Sequence, residues 1–302
     1  MRLTYPPMRR LAILLLAASS LGSCGGDDEP DAGRFDAERA FADLEAQVAV
    51  GPRPSGSRGA RETARLIADR LVDAGVDYVE RQRPYVNVIG GLRGSEPGTV
   101  IVGAHYDTKD AIPGFLGAND GASGVAVLLE LARTLPRPLP GPSIELVFFD
   151  AEEARGDRPF ELDGTRGSRQ YVKLARRGGT GASPSLAEIR AMVLFDLVGD
   201  CELGIPLEAS SDPALYELFA QAAQERTGSP APFEGSAGPI SDDHIPFREA
   251  GIPALDLIDF DFGPGPSPGA YWHTAEDTLD KVCAESLDAV GEAALGAIPR
   301  IR

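Results

Sequence analysis

The stretch LVFFDAEE, residues 146–153, runs from four apolar residues into an aspartate and two adjacent glutamates, Glu152 and Glu153. A carboxylate at the edge of a core loses hydration, and two side by side repel each other, so the pairing calls for a reason. Comparable residues stand elsewhere. His105 lies in AHYD, where Asp107 is placed to orient it; Asp120 lies in GAND, Asp196 in VLFDLVGD and His273 in YWHTAEDT. Hard carboxylates with imidazole are the ligand set of zinc in a hydrolytic or acyl-transfer site. Taken singly, an aspartate at a strand end is more often a helix cap or turn residue, and a lone histidine is more often structural. The count changes that balance: the chain has three histidines, His105, His244 and His273, and all three lie in polar motifs at predicted loop starts.

The elements that position these residues follow from periodicity. DAERAFADLEAQVAV (36–50) has helical spacing, and GPRPSGS breaks it. RGARETARLIADRLVDAG reads as a second helix, capped by Ser57 and ended at Gly75. Strands are expected at 77–82, 85–91 and 99–104, then a helix in GASGVAVLLELARTL, a strand in SIELVFF, a helix in TRGSRQYVKLARR and a strand in AMVLFDL. A helix from Asp212, a strand at 254–258 and a last helix around 278–297 complete the chain. Buried-type strands alternating with helices predict a largely parallel sheet covered on both faces. Ligands of such sheets bind at the carboxyl ends of the strands, where the candidate residues fall.

With 302 residues, 43% of them hydrophobic and 25% charged, the composition suits one sizeable α/β domain at 37–302. Residues 1–23 read as a signal: Arg9 and Arg10 precede LAILLLAASS, which is too short for a stable bilayer span, and LGSC follows at 21–24. LGSC resembles the lipobox of bacterial lipoproteins, which implies a mature chain beginning at a lipidated Cys24, a flexible tether over 24–36, and sorting to the outer membrane facing the periplasm. Loss of Arg2, Arg9 and Arg10 with no acid moves the net charge from −17 to −20. So acidic a surface argues against nucleic-acid binding. Cys201 and Cys283 remain; one disulfide between them is open in an oxidising periplasm, a pairing that sequence alone does not decide, and no Cys-x-x-Cys zinc motif is present.

In order, HYD, GANDGASG, FFDAEE, FDLVG, DDHIPF and WHTAEDT resemble the motifs of the M28 zinc aminopeptidase-like superfamily, and more closely its glutaminyl-peptide cyclotransferase branch, from about residue 37 onward. The resemblance implies a three-layer αβα fold, of the phosphorylase/hydrolase-like kind, with a mixed, mostly parallel central sheet. It implies zinc held by Asp120, Glu153 and His273, with Glu152 as general acid/base. Adjacent side chains leave a backbone in different directions, so one glutamate can hold a cation while its neighbour faces the substrate.

Aminopeptidases of the superfamily place a second zinc on the residues corresponding to His105 and Asp196, bridged through that corresponding to Asp120; the cyclases hold one. Three features favour the cyclases. A long loop, ARGDRPFELDGTR, follows Glu153 in place of a short Gly-Leu turn; DDHIPF doubles its acid, so that Asp242 matches the residue that hydrogen-bonds the general acid/base; and Trp272, the only tryptophan, precedes His273 and by resemblance lines the pocket. Asp242 and Asp196 are expected to share the proton network of Glu152, and Phe260 or Phe262, with Phe262 preferred, to complete the aromatic wall. The chain departs from the animal cyclases at Arg158, which falls where they have a pocket tryptophan, and at Asp256, where they have a histidine; GASG after Asp120 is closer to the peptidases. The resulting expectation is an enzyme converting N-terminal glutamine of peptides or proteins to pyroglutamate, with one zinc and at most two. Membrane contact is expected only through the lipid anchor, and the alternative is a metallo-aminopeptidase.

Overall fold

The computed structural model describes residues 33–302. The signal and Cys24 lie outside the described residues. The packed chain begins slightly before the expected boundary at 37: Phe35 is buried and its N–H donates to Glu292 at 2.8 Å.

Six strands form one sheet in the order β1-β2-β4-β3-β5-β8. They are β1 (Tyr78–Arg81), β2 (Val88–Leu92), β3 (Gly94–His105), β4 (Leu139–Phe149), β5 (Ile189–Asp196) and β8 (Ala254–Ile258). β4, β3, β5 and β8 run parallel, while β1 and β2 are antiparallel additions at one edge. Period-two alternation sorts the side chains. Val100, Val102, Leu146, Phe148, Val193 and Phe195 enter one apolar layer, and Ile101, Val147, Phe149, Met192 and Leu194 enter the other.

The first layer is closed by α1 (Ala37–Val48), α2 (Arg58–Asp73), α3 (Ser123–Thr134), α6 (Pro213–Thr227) and α8 (Ala284–Ala297); the second by α5 (Arg166–Ala175) and α7 (Ile245–Glu249). Caps fix several helix starts: Asp36, Ser57 and Asp212 each accept a backbone N–H from the first turn. A short α4 (Phe160–Asp163) and a two-strand pairing of β6 (Leu207–Glu208) with β7 (Ser236–Ala237) complete the elements.

β3 and β4 start earlier than expected, at Gly94 and Leu139, and three further differences have local physical reasons. β2 starts at Val88 because the Val86 N–H is taken by the Asp150 carboxylate at 2.8 Å rather than by a ladder partner. The last helix begins at Ala284 because the chain before it is tied down: a 3-10 turn at Leu279–Lys281 is followed by extended backbone in which Val282 bridges Asp200 and Cys283 is joined to Cys201 in a disulfide. α7, inside the DDHIPF motif, is five residues long, too short to leave a periodic signal. Among the described residues no helix is long and apolar enough to cross a membrane.

Candidate active site and metal centre

β3 and β5 end in two candidate ligands, His105 and Asp196. β4 hands its chain to Asp150 and then to the paired glutamates, and the loops before α3 and after β8 bring in Asp120 and His273. Two side chains reach for the same aspartate. Asp120 Oδ1 lies 3.3 Å from His105 Nε2, and Oδ2 lies 3.4 Å from His273 Nε2. His105 Nε2 is also 3.1 Å from Asp196 Oδ1, and His273 Nε2 is 3.1 Å from Glu153 Oε1. Two triads result, His105–Asp120–Asp196 and Asp120–Glu153–His273, each with its ligand atoms within 4.8 Å of one another.

The backbone is bent to make this fit. Ala151, Leu197 and His273 have φ of 60°, 49° and 51°, a left-handed region that costs a non-glycine residue about 1 kcal/mol and that clusters at functional sites. Ala151 turns the chain between the strand and the glutamates, after which Glu152 and Glu153 diverge. The Glu152 N–H is held by Asp107 Oδ1 at 3.0 Å. Asp107 thus fastens the glutamate turn, and His105 Nδ1 is faced by the Asp107 backbone oxygen at 3.1 Å rather than by its carboxylate, which stands 3.8 Å off. Gly121, at φ +90°, passes so near His105 and the Asp107 carbonyl that a Cβ there would clash.

Charge explains the chemistry. Burial alone would lower both histidines, but hydrogen bonds and charges from Asp120, Glu153 and Asp196 outweigh it, raising His105 well above its usual range and His273 to about 10. Burial likewise would raise Asp120, yet the two imidazoles hold it below the usual carboxylate range. Glu153 is raised by burial and by Asp120. The site therefore attracts positive charge at the point where the carboxylates converge. Asp120 Oδ2, buried and without a hydrogen bond, is an acceptor left for a cation. Donor types, convergence and this orphaned oxygen all fit a zinc ion.

Glu152 belongs to neither triad. Burial pushes it well above the usual carboxylate range, and the Glu153, Asp243 and Asp107 charges add to that while His105 opposes it. Glu152, Glu153 and Asp242 line one cavity of about 400 Å³ with the triad residues Asp120, Asp196 and His273. Asp242 is raised by burial and by Asp256, Asp196 and Glu152. Its Oδ1 accepts from the Asp243 N–H at 2.5 Å, and its Oδ2 has no partner among the described residues. The hydrogen bond to Glu152 implied by resemblance is therefore not formed in this arrangement, although the two acids share the cavity.

Trp272 lies in the cavity wall, stacked on His273 at 3.8 Å, with Phe260 meeting it edge-on at 5.3 Å. Phe262 is a correction. It is fully buried against Leu197 and Ile258, with Tyr271 at 5.4 Å, and its carbonyl accepts from the Tyr271 N–H, so it anchors the loop and Phe260 faces the cavity instead. The long loop supplies Arg158, Phe160 and Glu161 to the rim. His244 is in neither triad: it is buried with Nε2 2.8 Å from Ser210 Oγ and Nδ1 3.4 Å from Asp256 Oδ2.

Three supporting residues escaped sequence reasoning. Asp277 accepts the N–H groups of Asn119 and Asp120 at 2.7 and 3.0 Å, pinning the ligand's backbone. Arg53, wholly buried, donates to the carbonyls of Tyr106, Leu116 and Gly117 and faces the charges of Asp277 and Asp120. Lys109 places Nζ 3.7 Å from Glu153 Oε2. Asp277 sits within the WHTAEDT motif, which is the one signal that would have found it; single buried cations such as Arg53 leave no periodic trace.

Residues 87–298 match the family model described as peptidase family M28. Among curated proteins, the chain is 31% identical over 302 residues to the glutaminyl-peptide cyclotransferase of Bos taurus, covering 79% of this chain and 75% of that one. It is 28% identical over 245 residues to that of Boiga irregularis, covering 70% of this chain but 64% of the relative's length. Among solved structures, an Acidobacteriales bacterium glutaminyl cyclase superposes with a TM-score of 0.78 at 33% identity, covering 93% of this chain and 98% of that one. A leucine aminopeptidase precursor from Bacteroides thetaiotaomicron superposes with a TM-score of 0.76 at 27% identity, over 90% and 99%. With a family match over most of its length and relatives above 30% identity, the chain belongs to the M28 peptidase family, in its glutaminyl-peptide cyclotransferase branch.

Proposed function

We propose that the protein is a zinc-dependent glutaminyl-peptide cyclotransferase, converting an N-terminal glutamine to pyroglutamate with release of ammonia. The observation that carries this reading is Glu152: a buried carboxylate with a raised proton affinity, outside the ligand triads yet facing the same cavity. Asp120, Glu153 and His273 would hold the zinc, which when bound supplies a Lewis acid for the side-chain carbonyl of the substrate glutamine.

The chain's own groups do the rest. The cavity holds the glutamine with its α-amine folded back on its own side-chain amide, so the attack is intramolecular and proximity comes with the substrate. The α-nitrogen forms a bond to the amide carbon and the carbon–nitrogen bond to the leaving group breaks. Glu152 takes the proton from the α-nitrogen and returns one to the departing nitrogen, so ammonia leaves and the carboxylate is regenerated. Asp242 lines the same cavity and has its own proton affinity raised by burial and in part by the charge of Glu152, so the two acids resist being ionised together. Trp272, Phe260 and the rim loop exclude water that would otherwise hydrolyse the amide.

A second reading, a metallo-aminopeptidase, draws on the His105–Asp120–Asp196 triad, which offers ligands for a second ion. Metal-loaded protein incubated with Gln-peptides and Leu-peptides separates the two. Ammonia released from Gln-peptides without free amino acid supports the cyclotransferase; release of free leucine overturns it. We further propose that Cys24, in the LGSC lipobox, carries lipid and holds the enzyme at the bacterial cell envelope.

A further inference from the structure

We infer that the outer face of α5 is a second recognition surface, which takes an acidic stretch of the polypeptide substrate downstream of its N-terminal glutamine. The inference rests on the cyclotransferase reading and names a substrate class for it.

α5 buries Tyr171, Val172 and Ala175 against the sheet, and the helical period then turns Arg169, Lys173 and Arg176 outward, with Arg177 beside them. All four are exposed. Several arginines elsewhere meet acids, with Arg39, Arg70, Arg133 and Arg226 each within 3 Å of a carboxylate. Along α5 the last ion pair is that of Arg166 with Asp163. Beyond it, among the described residues, Arg169 donates only to the Thr165 hydroxyl and the Glu161 carbonyl, and the next three cations have no acidic partner. They line a groove of about 290 Å³ against Pro246 of α7, in which Glu249 is the single carboxylate. Like charges three and four residues apart weaken a helix. On a chain whose net charge is −17, this uncompensated row is a local field of the opposite sign, suited to an anionic partner.

Continuity with the catalytic cavity identifies the partner. Arg169 is tied to the Glu161 carbonyl at 3.1 Å, and Glu161 and Arg158 line the cavity rim. From Arg166 to Ala175 the helix rises roughly 14 Å at about 1.5 Å per residue, a distance an extended peptide covers in about four residues, and Arg176 and Arg177 follow directly on its last turn. A peptide with its first residue in the cavity leaves over this rim onto the basic row. A row of open, flexible cations meets a segment bearing several carboxylates better than it cradles one small anion.

The test uses two Gln-peptides that share their first residues, one carrying Asp and Glu over the following segment and the other Ser and Gly, with a Gln-dipeptide amide as control. At low salt the acidic peptide should have roughly 5- to 30-fold higher kcat/KM, carried by KM and fading as salt screens the row. In Lys173→Ala/Arg176→Ala/Arg177→Ala the preference should fall to within about twofold while the dipeptide constants stay unchanged. Should the triple variant fail to fold, Arg177→Glu alone must reduce the preference. Equal kcat/KM for both peptides in the unaltered enzyme, or a preference that survives the substitutions, overturns the inference. Anisotropy of the labelled acidic peptide reads binding without turnover, so loss of all cyclisation with binding intact sinks only the cyclotransferase reading. If anionic vesicles or self-association, and not the peptide, respond to the substitutions, the surface serves another occupant and the inference falls.

Discussion

Glu152 and Glu153 are neighbours in sequence with different proposed roles, and the turn at Ala151 sends them apart. Glu153 meets His273 and Asp120, whereas Glu152 stands outside both triads and has its proton affinity raised well above the usual range, first by burial. Glu152→Gln preserves shape and removes the proton acceptor, so zinc should stay bound and cyclisation should slow roughly 10²- to 10⁴-fold. Glu153→Gln weakens a ligand instead: zinc affinity should fall, and added zinc should restore part of the rate. Zinc occupancy and single-turnover rates measured on both variants check this, and a reversed pattern means the roles are exchanged. Asp277→Ala frees two N–H groups and leaves buried Arg53 facing fewer charges. Zinc affinity and melting temperature should both drop, with the dipeptide KM following the zinc. The cluster of candidate residues was legible in the sequence because histidines beside carboxylates at strand ends are rare enough to count, while the division into ligands and acid rests on the family resemblance. Phe262 was not. In an irregular loop, residues two apart have no fixed faces, and only the fold decides that Phe262 anchors and Phe260 faces the cavity.

At the scale of elements, the sheet and most helices could be read from periodicity, down to the bounds of β8. What stayed hidden is what long-range contacts impose. The 278–283 segment has helical composition but forms only a 3-10 turn at Leu279–Lys281 before the Asp200–Val282 bridge and the Cys201–Cys283 disulfide hold 282–283 extended. That disulfide closes a separation of 82 residues, so Cys201→Ser/Cys283→Ser should lower stability by about 2–4 kcal/mol, seen in denaturant titration without reductant. The loop after Glu153 is organised differently, around one acid. Asp163 accepts from Arg155 at 3.0 Å and Arg166 at 2.6 Å and pairs with Arg158 at 3.1 Å, and these arginines hold its carboxyl far below the usual range. A depressed carboxylate contributes stability that is present above its unfolded pKa and lost as pH falls below it. The loop should therefore stay closed at neutral pH and loosen only under acid, whereas Asp163→Asn should loosen it at neutral pH. Since this loop forms the cavity rim, the variant should raise KM more than it lowers kcat, and proteolysis of the loop at pH 7 should speed up.

At the scale of the molecule, charge and attachment are coupled. Removal of residues 1–23 would leave a net charge of −20, three units more acidic than the whole chain because Arg2, Arg9 and Arg10 go and no acid does. Such a surface is repelled as a whole by anionic headgroups, and no described helix is long and apolar enough to cross a membrane. On the proposed reading, attachment to the envelope would come from lipid on Cys24, whose acyl chains would contribute about 0.8 kcal/mol per buried CH₂ and hold firmly only when more than one is attached. Cys24→Ser removes the thiol that accepts the lipid without touching the catalytic domain. Fractionation of the producing cells should move the protein from the membrane to the soluble fraction, or leave an unprocessed precursor. Its activity on Gln-dipeptide amide should be unchanged. A processed Cys24→Ser protein that still sediments with membranes in high salt would show that the attachment lies elsewhere.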